Sequence, residues 1–238
     1  MQRLASLVFP LTLIACGGSS SSDGVTRSQY DATASAIATA SAGNGNGGDT
    51  VSMRDTVDIA LGVPSVGLTL SGDGHFQGTV GSLAFTYGIT CEDANGVSLS
   101  VCGATTDSAA VDVSWSGSLT TSVLSTSVSR TGHWSVSGLQ GDTATFDGDS
   151  SFSFDATIGS LAYSFDAAAS YDAVLVDTDT HEAIGGSASW DVTATTNNHS
   201  FEVHADLTFS ASHTASLVLD GDQKYTLDLS TGIVARVN

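Results

Sequence analysis

From about Val66 onward, apolar and polar residues alternate along the chain. Val111, Val113 and Trp115 are separated by Asp112 and Ser114, and Phe152, Phe154, Ala156 and Ile158 by Ser153, Asp155 and Thr157. Phe201, Val203, Ala205, Leu207 and Phe209 interleave with Glu202, His204, Asp206 and Thr208. A period of two sends alternate side chains to opposite faces of a strand, so each segment has one apolar face and one wet face. Parallel strands covered on both sides read as unbroken apolar runs, so this pattern predicts antiparallel pairing. Asp147-Gly148-Asp149 and Asp220-Gly221-Asp222 read as turns joining neighbouring strands, which predicts hairpin after hairpin.

Ahead of this region the period is helical. Ser28 with Asp31 three residues on reads as an N-cap, and Tyr30, Ala34, Ile37 and Ala38 fall on one face. The run Gly43 to Gly48 breaks that helix. A second helix is predicted with Asp49 or Thr50 as cap, Met53, Val57, Ala60 and Leu61 as its stripe, and Gly62 and Pro64 as its stop. Both helices are short and weakly apolar, so each needs a larger surface to pack against.

GSLAFTY at Gly81–Tyr87 recurs as GSLAYSF at Gly159–Phe165, and ATFDGDSSFSFD at Ala144–Asp155 recurs as LVLDGDQKYTLD at Leu217–Asp228. LTLSGDGHFQG at Leu68–Gly78 is a fainter copy. We read two degenerate units of roughly 75 residues as halves of one sheet, since no linker separates them. The expected fold class is therefore mainly β: a large antiparallel meander of roughly 12 to 14 strands with two short N-terminal helices. A curled sheet or half-barrel under the helices, a closed barrel and a sandwich would each bury the apolar face. An outer-membrane barrel would need aromatic girdles, and this chain has three Trp and five Tyr and ends in Arg236-Val237-Asn238.

Charge narrows the partners. The formal net charge is −19, and lysine occurs only at Lys224 and glutamate only at Glu92, Glu182 and Glu202. Such a field repels phosphate backbones, which argues against nucleic acid and favours cations, basic partners or a salty medium. High net charge often marks disorder, but 41% hydrophobic residues in regular alternation predict a folded body.

The first residues carry a different signal. Arg3 precedes an apolar run from Leu4 to Ile14 that includes Pro10, and Leu13-Ile14-Ala15-Cys16 closes it. The run is too short to span a bilayer, which takes about 20 residues, and it reads as a secretory leader. Its last four residues resemble the lipobox of bacterial lipoproteins. That resemblance implies removal of residues 1–15, lipidation of Cys16 and attachment through several acyl chains, which anchor stably where one would not. Gly17 stands where aspartate would mark retention at the inner membrane, so the resemblance favours the outer membrane. The segment from Gly17 to Gly24, GGSSSSDG, reads as a flexible tether. Residues 25–238 are then one domain, with a helical hairpin at 28–61 and the β region at 66–238. Cys91 and Cys102 remain as a pair, and an exported compartment favours a disulfide between them.

Motifs for chemistry are sparse. G-x-S-x-G does not occur, and His181-Glu182 begins H-E-x-x-H without a second histidine. Glu202, His204 and Asp206 share one strand face and are candidates for a metal or acid/base cluster, but the spacing favours a solvated acidic face, since a single extended strand cannot converge its ligands on one ion. Asp177, Asp179 and Glu182 gather carboxylates in a turn, where Ca²⁺ is the cofactor such a loop would take, yet the spacing matches no calcium motif and favours a plain hairpin turn. Trp115, Trp134 and Trp190 all occupy apolar phases and read as core. No catalytic residue is assigned. The expected function is an outer-membrane-anchored lipoprotein with a structural, surface or partner-binding role. The alternatives are a carrier or chaperone for an apolar ligand or lipid in a half-barrel, which calls for an apolar cavity of several hundred Å³, and a hydrolase without a recognisable motif.

Overall fold

The computed structural model describes residues 24–42, 48–63, 67–71, 74–80, 82–120, 125–158, 161–196 and 199–237; the leader, Cys16 and most of the tether lie outside them. Two helices, α1 (Arg27–Ser41) and α2 (Asp49–Ala60), precede the strands β1 (Leu68–Leu70), β2 (Phe76–Val80), β3 (Leu83–Glu92), β4 (Ser98–Leu99), β5 (Ser108–Thr120), β6 (Ser125–Ser137) and β7 (Thr143–Ile158). These continue with β8 (Leu161–Asp177), β9 (Ala183–Thr196), β10 (His199–Ser210), β11 (Thr214–Leu219), β12 (Gln223–Asp228) and β13 (Ile233–Arg236). The 13 strands form one antiparallel sheet in sequence order, with β4 alone off the path, paired to β3. The sheet does not close: β1 and β13 are its two edges. None of the described helices is long and apolar enough to cross a membrane.

The alternation in the sequence becomes the two faces of the sheet. Val111, Val113 and Trp115 point inward, as do Val203, Ala205, Leu207 and Phe209, while their neighbours are exposed. Trp115, Trp134 and Trp190 are all buried. An aromatic file crosses the inner face: Phe85, Trp115, Phe152, Phe154, Phe165 and Tyr163 succeed one another with ring centroids 4.7–6.1 Å apart. Trp134 has room because two inward positions beside it are glycines. A Cβ on Gly132 would lie 2.8 Å from the Trp134 ring, and one on Gly148 would meet the ring at 2.8 Å and the His133 carbonyl oxygen at 2.2 Å.

The two helices cover this apolar face. Ala34, Ile37, Ala38, Met53, Val57 and Ile59 pack into the same core as the strands. Helix α1 starts two residues earlier than Ser28 would have it: Thr26 is the N-cap, in a capping box with Gln29. The Gln29 side chain takes the Thr26 amide at 2.7 Å, and Asp31 is thereby released to accept a hydrogen bond from Tyr225 at 2.8 Å. Helix α2 is capped by neither Asp49 nor Thr50. Gly48 is its N-cap without a side-chain bond, and Asp49 is the first helical residue. The stop at Gly62 holds, with a φ of 81°, while Pro64 lies outside the described residues.

Asp147-Gly148-Asp149 is no turn. It lies within β7, where a bulge shifts the register between Phe146 and Gly148. The Asp147 carboxylate accepts the Ala173 amide at 2.9 Å from the matching irregularity in β8. Asp220-Gly221-Asp222 does turn the chain from β11 to β12, with φ of 48° at Asp220 and 79° at Gly221, the signs a tight hairpin turn requires. The disulfide Cys91–Cys102 forms and ties the end of β3 to the loop after β4.

Candidate functional site

Asp177 sits at the β8–β9 turn and turns its carboxylate on its own backbone, accepting from the amides of Thr180 at 2.7 Å and Asp179 at 3.0 Å and from the Thr180 hydroxyl at 2.9 Å. Those bonds, led by the Thr180 amide, hold its pKa below the ordinary value. This is an Asx turn, with the carboxylate engaged in the geometry of the hairpin. Glu182 leaves that turn to pair with His213 at 3.0 Å.

On the wet face, His204 is held between two aspartates, Asp191 at 2.8 Å and Asp206 at 3.5 Å. The first of these raises its pKa most, through the hydrogen bond. Asp191 comes from the neighbouring strand, directly opposite His204 in register, while Glu202 stands opposite Thr193. A second pair repeats the device: His133 and Asp112 face each other across β5 and β6 at 2.5 Å, and that bond raises the His133 pKa. The structure brings His204 and Asp206 together and leaves Glu202 apart from them. Among the described residues no three or more of His, Cys, Asp and Glu converge on a point that would hold a metal ion.

A cleft of about 170 Å³ lies where α2 meets the turns at one end of the sheet, lined by Arg54, His181, Glu182, His213 and Ser230 among others. Asp58 on α2 holds His181 at 3.0 Å. Both histidines have positive φ, 57° at His181 and 55° at His213, a conformation that costs a side-chain-bearing residue energy and that surrounding contacts must hold in place. Three broader clefts of about 540, 530 and 340 Å³ involve residues of the outward face, among them Asp112, His133, Asp166 and Ser153. None of these four is an apolar chamber beneath the helices.

The most unusual chemistry sits under the helices. Arg130 occupies an inward position of β6, in phase with Val128 and Trp134, and its side chain is fully buried. Its guanidinium pairs with the equally buried Asp49 at the start of α2. It also donates to the Ala40 carbonyl at the end of α1 at 3.1 Å, to Ser150 at 2.8 Å and to Tyr171 at 3.4 Å. Tyr171 in turn donates to Asp49. The rings of Trp115 and Trp134 lie 5.9 and 6.0 Å from the guanidinium carbon, within cation–π range. Burial lowers the Arg130 pKa to about 10, which leaves it charged at neutral pH, and raises that of Tyr171 to about 12. Sequence reasoning missed Arg130; the signal was an arginine in the apolar phase of Ser127–Ser137.

Further along, α2 places Asp55 against Tyr87, whose hydroxyl donates at 3.0 Å. At the other end of the hairpin, Tyr30 of α1 donates to Asp220 at 2.8 Å. Four of the five tyrosines thus join a helix to the sheet through an aspartate. The arrangement fastens a helical hairpin to an aromatic floor. It offers acid–base pairs at the rim and on the wet face and, among the described residues, one buried cation at the centre. No family model, curated protein or solved structure matches this chain.

Proposed function

We propose that this chain is a lipid-anchored protein of the bacterial outer membrane whose β domain serves a non-enzymatic, partner-binding role. Cys16 carries the acyl chains, residues 17–24 supply reach, and residues 25–238 carry the function. The observation that carries this reading is the junction Leu13-Ile14-Ala15-Cys16-Gly17, followed within ten residues by the capped start of a folded domain at Thr26. The eight Gly/Ser-rich residues 17–24 have a root-mean-square span of roughly 15 Å, enough to lift the domain clear of headgroups. The Cys91–Cys102 bridge fits the same oxidising compartment.

The domain enters from the tether beside the β11–β12 turn, since Tyr30 bonds Asp220 there. Because the strands alternate in direction, that turn and the β8–β9 turn lie at opposite ends of the sheet. The rim cleft at His181 and His213 therefore faces away from the point of attachment.

Mass spectrometry of the N-terminus of the protein isolated from its own cells tests the anchor. The expected mature chain begins at Cys16 with a diacylglyceryl thioether and an N-acyl group, and Cys16→Ser moves the protein from the membrane to the soluble fraction. An N-terminus elsewhere with an unmodified Cys16 refutes the reading.

A further inference from the structure

We propose that the inner face around Arg130 is a binding trough for an amphiphile, an acyl chain bearing a carboxylate or phosphate head, and that the α1–α2 hairpin is a plug whose Asp49 carboxylate stands where that head binds. Among the described residues the sheet contributes one buried cation to an otherwise apolar floor. Arg130 takes its one carboxylate partner among the described residues, Asp49, from α2 and its carbonyl partner, Ala40, from α1. Lifted off, the hairpin leaves a guanidinium between Trp115 and Trp134 with Ser150 and Tyr171 beside it. That is a cluster of donors for an oxyanion.

A second observation points to the same ligand. Arg130 Nε and the indole nitrogens of Trp115, Trp134 and Trp190 are all buried and have no hydrogen-bond acceptor. Tyr171 contacts both Trp134 and Trp190, at 6.5 and 6.4 Å between ring centroids, so the four donors belong to one patch. All four can only donate. The plug supplies too few acceptors, and the oxygens of an anionic head supply part of what is lacking. From Trp115 the aromatic file runs through Phe152, Phe154 and Phe165, an apolar track for the chain that follows the head.

The plug is suited to leave. On its side Thr33, Ser41 and Thr56 have buried hydroxyls without partners, and these regain water when it lifts. The hairpin is small and rich in Ala, Ser and Thr, and its polar fastenings are a few Tyr–Asp, Arg–Asp and His–Asp contacts and the bond from Arg130 to the Ala40 carbonyl. The ligand displaces it by binding the open state better than Asp49 does, as any ligand-driven shift requires. This proposal does not depend on the anchor, because Cys16→Ser leaves the trough intact.

The test uses the protein as purified from its cells, held in amphipol, with oleate and oleoyl-lysophosphatidate as probes. Tryptophan fluorescence reports binding, since all three indoles line the floor, and hydrogen exchange reports the plug. Saturable binding is expected, with at least tenfold loss of protection in α1 and α2 while β5–β10 keep theirs. Preference for oleate identifies a carboxylate head and preference for the other probe a phosphate head. Asp49→Asn removes the competing carboxylate and is expected to tighten binding at least tenfold. Adding Arg130→Gln to it reverses that gain. The proposal is overturned by helix protection unchanged at saturation, by equal competition from dodecyltrimethylammonium, or by no saturable binding. Should Asp49→Asn fail to fold, the exchange result on the unaltered protein decides.

Discussion

A charged side chain in the middle of a β-sheet core has to find its counter-charge close by, because burial of an unpaired ion costs several kcal/mol. Arg130 finds it in Asp49, and both side chains are fully buried. The two were visible in the sequence in unequal measure. Asp49 read as a helix cap because an acidic residue before an apolar stripe usually is one. Its carboxylate is instead taken up by Arg130 and Tyr171, and the cap falls to Gly48. Arg130 was hidden because alternation treats a basic residue as wet, and the long-range partner that overrides this sits 81 residues away in sequence. Removing one member should be worse than removing both. Asp49→Ala is expected to destabilise by about 3–5 kcal/mol, since the guanidinium is left buried and alone, whereas Asp49→Leu with Arg130→Met is expected to be near neutral or stabilising. Urea unfolding of the three proteins checks this. Equal losses in the single and paired variants would show that Arg130 is not held by the aspartate.

Element boundaries show what local signals do and do not decide. Two copies of Asp-Gly-Asp occur at 147–149 and 220–222, and both read as turns. At 220–222 the flanking strands are short, and positive φ at two successive residues closes a hairpin. At 147–149 the chain runs on in unbroken register with β6: Gly148 stands opposite Trp134, and the missing Cβ at a φ of 148° leaves room for the indole, while the register shift lies on the β8 side. The glycine serves a side chain on the next strand, and no local pattern reports that. The repeat that contains both copies is therefore a likeness of sequence that the two segments do not share as structure, while Gly81–Tyr87 and Gly159–Phe165 both lead into strands whose Phe and Tyr point inward. Strand phase and pairing sense were legible because a period of two, kept up over many residues, has one solution when one face must be buried. Gly148→Ala carries the argument to experiment. A Cβ 2.2 Å from the His133 carbonyl oxygen cannot be absorbed by a rotamer change, and overpacking of this kind costs about 1–3 kcal/mol, with backbone strain added. The midpoint of thermal unfolding should fall by several degrees, with a changed near-ultraviolet signal from Trp134. An unchanged midpoint would mean that the bulge is free to relax.

At the scale of the whole molecule, the phenols that fasten helices to sheet make stability depend on alkaline pH. Hydrogen bonding to Asp220 raises the pKa of Tyr30 to about 12, and burial raises Tyr171 and Tyr225 to about 12. Burial holds Tyr87 well above its ordinary value as well. A phenol raised in the folded state contributes stability that is fully present below its unfolded value of about 10 and is lost as pH rises through the folded value. Arg130, lowered by burial to about 10, acts in the opposite sense over the same range and offsets part of the loss. The balance remains with the phenols, which are four against one. Each phenolate would also sit beside a carboxylate in the fold, so the repulsion falls on the seam between hairpin and sheet. Absorbance at 295 nm, which follows phenolate, should therefore rise late, above pH 10. The rise should be steep, because undocking of the hairpin frees several phenols together. In denaturant all five should titrate near 10, with a gradual slope. Exchange of the α1 and α2 amides measured alongside should accelerate at the same pH. Gradual titration near pH 10 in the folded protein would show that the tyrosines do not carry the seam.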